Sequence, residues 1–481
     1  MNLRPALFLL VILGLLAGCV PVTSIPTVEM TTTTTSIVTT HIAIPTRPET
    51  AIPMSPFPSS TPQPWTPTVT VTPTFDPSTI VTVTPAQAAV CPTIDPLFLP
   101  DFPKPRYDDA NSTEHAVENV LNYLNRGGSI DNAAIRLGFS EHGFRKVDLT
   151  GDGVPEVAII SPLYYGTIHF LTCQNGYYVD HNPYDDPTVS LVANSSINLV
   201  IDLNKNGLPE IIVKSYGCSG NGCLVISVFE WNGEEFASIS PTVGTLGPHD
   251  FSLKDTDGDG LKEIILKGDR PGNCCVGMMT PWRYKSVVYS WNGNVFAESY
   301  IYFDSPQYRF QAVQDADREV FYQHFEKALV LYQDAIFSDT LEWWSRERRD
   351  YEVNLFYNSY KQPTPTPSAY PAEDTTEYPR LAAYAYFRIT LLHILQGHES
   401  DAGTVYQTLQ QKFPEGNPGF PYAEMAAAFW SEYQSSHDLT AACGMAVEYA
   451  AAHPDILIPL GSDYHGMQSH TYQPEDVCPF R

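Results

Sequence analysis

The sequence is poor in basic residues. It contains 27 Lys and Arg against 54 Asp and Glu, which gives a formal net charge of −27 at pH 7. Nucleic acids and anionic membrane surfaces both attract basic patches, so this balance argues against either as a partner. The acidic surplus favours an exterior rich in divalent cations, or a surface whose charge only keeps the protein soluble.

Motifs of the common catalytic sites are also lacking. Residues 217–221 read Gly-Cys-Ser-Gly-Asn, with asparagine where the nucleophile elbow of a hydrolase needs glycine. His398 and Glu399 are followed by Ala402 at the place where a zinc protease needs its second histidine. No glycine-rich phosphate loop follows a predicted strand. The residues therefore predict no reaction.

The N terminus lacks an apolar run long enough to span a bilayer, since the run at residues 6–16 is too short. It ends in Leu16-Ala17-Gly18-Cys19, which resembles a bacterial lipobox. The resemblance implies that residues 1–19 hold a cleaved signal peptide and that Cys19 is diacylated. Such a protein is a lipoprotein anchored in a membrane by its lipid alone and exposed outside the cytoplasm. The alternative is an ordinary cleaved signal with a chance cysteine.

Cysteine pairs of the C-x-x-C kind are missing, which argues against a cysteine metal site. Of nine cysteines, eight remain once Cys19 is set aside, and an even number is typical of disulfides in an oxidising compartment. Cys218 and Cys223 are the predicted local pair, and Cys443 lies within reach of Cys478. Three further cysteines belong to the same region as the local pair: Cys173, Cys274 and Cys275.

Charge is almost absent from residues 20–89, which are rich in Thr, Pro, Ser and Val. Such a composition cannot bury a core, so a disordered stalk is predicted, placed at residues 20–104. About 390 residues follow the signal and the Thr/Pro-rich part of the stalk, and we expect two domains from that length.

Three acidic loops recur along the chain, starting at residues 148, 202 and 255. Loop 1 (residues 148–156) reads Asp-Leu-Thr-Gly-Asp-Gly-Val-Pro-Glu, loop 2 (202–210) Asp-Leu-Asn-Lys-Asn-Gly-Leu-Pro-Glu and loop 3 (255–263) Asp-Thr-Asp-Gly-Asp-Gly-Leu-Lys-Glu. Oxygens at positions 1, 3, 5 and 9, with the backbone carbonyl at position 7, can surround one calcium ion, and the glycine at position 6 allows the sharp turn. The predicted Ca²⁺ ligands are Asp148, Thr150, Asp152, Val154 and Glu156; Asp202, Asn204, Asn206, Leu208 and Glu210; and Asp255, Asp257, Asp259, Leu261 and Glu263.

These loops are not EF-hands, because position 12 is Ile159, Val213 or Leu266 where an EF-hand needs a glutamate. A short β-branched run follows each loop and predicts a buried strand. Each repeat then carries an Asn-Gly pair between aromatic and β-branched residues, which predicts a hairpin with a type I′ turn. The pairs begin at Asn232 and Asn292, and a weaker one begins at Asn175.

One repeat is therefore a loop, a strand and a hairpin, and residues 140–305 resemble the FG-GAP or VCBS-type repeats of integrin-like β-propellers. The resemblance implies a calcium-binding β domain, placed here at residues 105–306. Closed propellers usually have more blades than three, so a partial propeller and a β-sandwich with such loops both stay open. Asn111 and Glu114 form a predicted capping box before a short helix.

From residue 307 the apolar period changes to that of a helix: Phe321, Phe325, Leu329 and Tyr332 form one stripe of a predicted long helix. Residues 307–481 resemble tetratricopeptide (TPR) repeats, which implies helical hairpins whose concave face holds a peptide or protein segment. The TPR-like positions are Tyr386, Ile389, Gly397, Ala402, Tyr406, Leu409 and Pro414; Phe429, Tyr433, Ala442, Ala446, Tyr449 and Pro454; and, more faintly, Ala328, Tyr332 and Ala335.

Two functions are compatible with this sequence. The first is a cell-surface lipoprotein whose β repeats and helical repeats bind a protein or glycan without catalysis. The alternative is an extracellular polysaccharide hydrolase or lyase. Exposed Trp231 and Trp291 would favour stacking on sugar, whereas burial of both rings would remove that support.

Overall fold

The computed structural model describes residues 80, 82, 89–104, 115–138, 143–160, 167–183, 195–216, 223–240, 243–246, 250–268, 281, 283–359, 369–461 and 471–480. These residues belong to one compact unit, Pro64–Arg481. Cys19, the capping box at Asn111, the Cys218 side of the predicted local disulfide and most of the stalk lie outside them.

Strands and helices occupy separate parts of the chain, as the sequence predicts. The described strands form antiparallel sheets whose neighbours follow chain order. The first sheet contains β1 (Phe144–Val147), β2 (Glu156–Ile160), β3 (Ile168–Gln174) and β4 (Tyr177–His181). The second contains β5 (Ser196–Ile201), β6 (Glu210–Tyr216), β7 (Cys223–Trp231) and β8 (Phe236–Ser238), with β9 (Val243–Leu246) paired to β7. The third contains β10 (Asp250–Lys254), β11 (Glu263–Gly268), β12 (Lys285–Trp291) and β13 (Phe296–Phe303).

Each acidic loop connects the first two strands of a sheet. The strand predicted after each loop is present as β2, β6 or β11, and each is almost wholly buried. The sequence analysis did not predict the strand before each loop, because β1, β5 and β10 are only partly apolar. The repeat is therefore a four-stranded meander.

The Asn-Gly hairpins are present, but their turns differ from the prediction. Only Asn175 and Gly176 both have positive φ, 53° and 86°, as a type I′ turn requires. The other two hairpins have four-residue loops in which glycine alone has positive φ. In one of them the Asn232 side chain accepts hydrogen bonds from the amides of Glu234 and Glu235, both at 2.9 Å. The Asn232 side chain stabilises that loop, and the backbone of Asn232 itself does not adopt the left-handed conformation.

The sheets stack face to face through two apolar clusters. The cluster between the first and second sheets contains Phe170 and Phe236, whose rings stack with centroids 4.0 Å apart. The cluster between the second and third sheets contains Ile212, Leu266 and Phe296, all buried. Alternate residues of β6 thus face opposite neighbours, and the central sheet is buried on both sides.

Helices cover the other face of the first sheet. Helix α1 (Ala116–Asn125) and helix α2 (Ile130–Leu137) share a cluster with β2 and β3. Residues 89–104 join the same cluster, where Phe102 is only 5% exposed. Cys91 is disulfide-bonded to Cys173 of β3. The packed domain therefore begins before residue 105, where the sequence analysis placed its boundary.

The C-terminal part is helical. It contains α3 (Arg309–Phe321), α4 (Phe325–Phe337), α5 (Arg346–Ser359), α6 (Glu377–Leu395), α7 (Glu399–Lys412), α8 (Phe420–Ser436) and α9 (Leu439–Ala452), followed by short 3₁₀ turns at Pro454–Ile456, Ile458–Leu460 and Pro474–Val477. Neighbouring helices pack as the pairs α3–α4, α6–α7 and α8–α9. No helix among the described residues is both long and apolar enough to cross a membrane.

The predicted long helix through Phe321 and Tyr332 is wrong. The chain turns at residues 322–324, where Gln323 has a φ of 62°, and two helices result. Leu329 and Tyr332 are buried as expected, but Phe321 is 76% exposed. A left-handed residue cannot continue a helix, so the apolar stripe is interrupted there.

The third sheet contacts the helical part directly. Arg283, just before β12, donates two hydrogen bonds at 2.6 and 2.8 Å to Asp315 of α3. The amide of Ile301 in β13 donates to the hydroxyl of Tyr322 at 3.2 Å. These contacts give β and helical residues a shared interface.

Candidate metal centre

The first residue of each loop anchors its backbone. Asp255 accepts hydrogen bonds from the amides of Gly258 and Gly260 at 2.7 and 3.0 Å, and both glycines have positive φ. Asp148 binds Gly151 and Gly153 of loop 1 in the same way, at 2.8 and 2.9 Å. Loop 2 retains one such bond, from Gly207 to Asp202 at 3.1 Å.

The last residue of each loop is a buried glutamate. Glu156, Glu210 and Glu263 are 1%, 0% and 2% exposed. Each accepts a 2.6 Å hydrogen bond from the amide at position 2 of its own loop. The loop thus closes on a carboxylate that points away from solvent.

Burial raises the pKa of all three glutamates. The pKa of Glu156 is raised to about 7, by burial and by Asp152 and Asp148. That of Glu210 is raised to about 8, by burial and by Glu230 and Asp202. Burial, with Asp257 and Asp259 nearby, also raises the pKa of Glu263. A divalent cation in the loop would oppose both causes by favouring the charged form.

Loop 3 brings its carboxylates together. One oxygen from each of Asp255, Asp257 and Glu263 lies within 4.8 Å of the other two. Calcium binds oxygen at about 2.3–2.6 Å, so ligands on opposite sides of one ion are about 5 Å apart. These three carboxylates therefore fit a calcium ion. Asp259 accepts from the amide of Leu261 at 2.7 Å, and the Leu261 side chain is buried.

Loop 1 has an additional bond to a residue outside it. Asp152 accepts from the amide of Val154 at 2.7 Å, as Asp259 does from Leu261, but it also accepts from the amide of Ala89 at 3.1 Å. The buried Thr150 hydroxyl donates to Glu156 at 3.3 Å, as the Thr256 hydroxyl does to Glu263 at 2.6 Å. Since Asp152 also fixes residue 89 beside the loop, a metal ion here would compete with existing hydrogen bonds.

Loop 2 is held by a glutamate from outside it. The side-chain amides of Asn204 and Asn206 both donate to Glu230 of β7, the first at 2.7 Å. Asn204 is buried, as is the Leu208 side chain at position 7. In loop 2 the Glu230 carboxylate and the two asparagine side chains thus satisfy one another's hydrogen bonds, whereas in loop 3 carboxylates converge.

Sequence reasoning missed Glu230. A signal was present, because Glu230 directly precedes the Trp-Asn-Gly turn, where the other repeats have Ser290 and Thr172. Only the fold shows that this position lies beside the loop. Lys205 also extends from loop 2 towards loop 3, with its Nζ atom 2.8 Å from where a Cβ on Gly260 would be.

The two tryptophans belong to the packing between sheets. Trp231 lies 5.0 Å from Phe236 and Trp291 lies 5.3 Å from Phe296, measured between ring centroids. Both indoles are half-buried against the inter-sheet clusters. Each indole is thus partly covered, between the full exposure that would favour stacking on sugar and the burial that would remove that support.

A groove of about 670 Å³ opens in the helical part. It lies between the start of α6, the α7–α8 turn and the 3₁₀ turns after α9, and its lining includes Arg380, Tyr422 and Asp455. A second cavity of about 610 Å³ shares Arg380 and Ile458 with it. The two form neighbouring parts of one concave surface.

Comparisons with protein-family models, with curated proteins and with solved structures each return no match.

Proposed function

We propose that this chain is a cell-surface lipoprotein that binds calcium through its β repeats and a protein segment or glycan through its folded domains, without catalysis. The observation that carries the calcium assignment is the convergence of Asp255, Asp257 and Glu263 within 4.8 Å. In this proposal the stacked sheets form a partial propeller of the FG-GAP type, and the helical pairs form a TPR-like array.

Calcium has a structural role in this account. Asp255 and Asp257 are exposed, whereas Glu263 begins the buried strand β11. An ion shared by the three would connect the exposed turn to the core of the third sheet. It would also replace the unfavourable burial of the Glu263 charge with a favourable interaction.

The three loops are expected to differ in affinity. Loop 3 has the most carboxylates and the convergent geometry, loop 1 has fewer and uses Asp152 to hold residue 89, and loop 2 has the fewest and engages Asn204 and Asn206 in hydrogen bonds to Glu230. Since ligand charge and rigidity set calcium affinity, loop 3 should bind tightest and loop 2 weakest.

The groove beside Arg380 is the proposed binding surface of the helical part. Its lining combines aromatic and aliphatic side chains with Arg380 and Asp455, a mixture suited to a segment with both apolar and charged groups. Full-length protein should be applied to peptide and glycan arrays, with Arg380→Glu as the test variant. Lys412→Glu, an exposed charge reversal on α7, is the matched control.

Ligands lost with Arg380→Glu and retained with Lys412→Glu would support the groove. Equal binding by both variants would remove it from the proposal. Polysaccharides that bind should also be incubated with the protein, and released oligosaccharide would overturn the non-catalytic assignment in favour of a hydrolase or lyase.

The lipid anchor has its own test. Acylation requires a thiol, so Cys19→Ser should abolish partitioning of the protein into the detergent phase, or leave the precursor unprocessed. Equal partitioning of variant and wild type would contradict the anchor and leave the calcium assignment untouched.

A further inference from the structure

We propose a second metal site, separate from the acidic loops, in the turn between α6 and α7. His393, His398 and Asp401 each offer one ligand atom there, and these atoms lie within 4.8 Å of one another. The chemistry fits a borderline transition-metal ion of the Zn²⁺ type, because two imidazoles and a carboxylate form a common zinc ligand set.

The backbone of this turn brings the two histidines together. The amide of His398 donates to the carbonyl of His393 at 2.7 Å, and the amide of Gly397 donates to the carbonyl of Ile394 at 3.0 Å. With Gly397 at a φ of 76°, this is the Schellman arrangement that ends many helices. In that arrangement the residues at the positions of His393 and His398 usually make an apolar contact. Here both residues carry imidazole rings, whose centroids are 6.1 Å apart.

The start of α7 supplies the third ligand. His398 is the N-cap residue of α7, and Asp401 lies three residues later, in the first turn. Side chains at these two positions face each other across the start of a helix. Glu399 is engaged elsewhere, since it accepts a 2.8 Å hydrogen bond from Tyr433. The geometry thus selects Asp401 as the carboxylate ligand.

An unpaired nitrogen supports this assignment independently. The Nδ1 atom of His393 is buried and has no hydrogen-bond partner in the structure. A buried polar atom left unpaired is costly, and metal ligation is one way to satisfy it. His393 is also in the last turn of α6, where the negative end of the helix dipole favours a cation.

The ligand atoms need only a small movement to bind an ion. Zinc binds nitrogen and oxygen at about 2.0–2.2 Å, so neighbouring ligands in a tetrahedral site are about 3.3 Å apart. His398 and Asp401 are exposed, and rotation of their side chains can close the difference without moving the helices. Three protein ligands leave a fourth position for water or for a group from a partner.

This site also completes a pattern that the sequence leaves unfinished. His398-Glu399 lacks the second histidine of a zinc protease at Ala402. The structure supplies a second imidazole from upstream, at His393, and no protease arrangement results. A bound ion would stabilise the turn between α6 and α7.

The test is zinc titration by calorimetry of full-length protein purified without a histidine tag and stripped of metal. Millimolar Ca²⁺ is kept present to occupy the acidic loops, since calcium prefers oxygen ligands and should not displace zinc from imidazole. We expect one equivalent of zinc bound with micromolar affinity. Cobalt(II) bound in place of zinc should give the visible absorption that is typical of a cobalt ion with a low coordination number.

His398→Gln and Asp401→Asn should each weaken zinc binding by at least about tenfold, the loss seen even when outer partners of a metal site are removed. His115→Gln is the matched control, because His115 is also an N-cap histidine with a carboxylate, Glu118, three residues later. No second histidine belongs to this His115–Glu118 pair, so the His115→Gln variant should leave zinc affinity unchanged.

Wild-type affinity in both His398→Gln and Asp401→Asn would overturn the site, as would an equal loss in His115→Gln. The absence of a zinc equivalent in the wild type would do the same. Melting curves in chelator show whether each variant is folded, and the two altered residues are exposed, so unchanged curves are expected.

Discussion

Asp317 on α3 is predicted to be a main determinant of stability in the helical part. Its carboxylate accepts hydrogen bonds from the hydroxyls of Tyr332, Tyr384 and Tyr472, the second at 3.1 Å. It also pairs with Arg388 of α6 at 3.2 Å. One side chain thus connects α3, α4, α6 and the C-terminal segment.

Replacement of Asp317 by alanine leaves the guanidinium of Arg388 buried without its carboxylate. Arg388 is 1% exposed, and its other hydrogen-bond acceptors are neutral: the Tyr384 hydroxyl and the carbonyls of Asp476 and Val477. Breaking a buried ion pair on one side typically costs about 3–5 kcal/mol. Because the Asp317 side chain is 14% exposed and water can enter, we expect a loss of about 3 kcal/mol.

Urea unfolding followed by circular dichroism at the helix signal measures this loss. Asp334→Ala, an exposed substitution on α4, is the control and should change the free energy of unfolding by less than about 0.5 kcal/mol. The double variant Asp317→Ala/Arg388→Met removes the buried charge as well, so it should be more stable than Asp317→Ala alone. A single variant as stable as the control, or a double variant with strictly additive losses, would refute this reasoning.

Three further predictions concern other parts of the chain. Cys443 and Cys478 are disulfide-bonded 35 residues apart, and replacing both by serine should cost about 3–4 kcal/mol of stability, measured in urea. Burial raises the pKa of Glu377 to about 8, so the folded state keeps a proton that the unfolded state loses, and stability should fall as pH rises from about 4.5 to 8. Glu377→Gln should reduce that slope, to which Glu156 and Glu210 also contribute, in melts at a series of pH values; an unchanged slope would contradict the assignment. Lys205→Met should strengthen calcium binding to loop 3, because it removes a positive charge beside that loop; unchanged affinity by calorimetry would show that the charge has no effect.

The sequence predicted those features whose signals are local. Each acidic loop and the strand after it are encoded within a dozen residues, since the backbone must turn at the glycine of position 6 and the apolar residues after the loop must pack in the core. The same holds for the helical C-terminal part, where small and aromatic residues recur at helical spacing. The Cys443–Cys478 disulfide was predicted because both residues are close in the sequence.

Features that depend on distant partners could not be predicted. Cys91 pairs with Cys173 across 82 residues, and only the packing of residues 89–104 on the first sheet brings them together. Glu230 interacts with loop 2 because strand β7 lies beside it. The break at Gln323 interrupts a regular apolar stripe, which periodicity alone reads as continuous.

The calcium assignment is tested most directly by melting the full-length protein in calcium and in chelator, for the wild type, Asp257→Ala and Asn204→Ala. For dissociation constants of about 0.1–1 mM and about 1 mM calcium, each occupied loop stabilises the fold by roughly 0.4–1.4 kcal/mol. Asn204→Ala also breaks a buried hydrogen bond to Glu230, so the quantity compared is the difference between calcium and chelator for each protein. We predict that calcium raises the melting temperature of the wild type and of Asn204→Ala, and that Asp257→Ala loses most of this rise. A wild type that melts at the same temperature in chelator would contradict calcium binding, and a larger loss in Asn204→Ala than in Asp257→Ala would contradict the placement of the main site in loop 3.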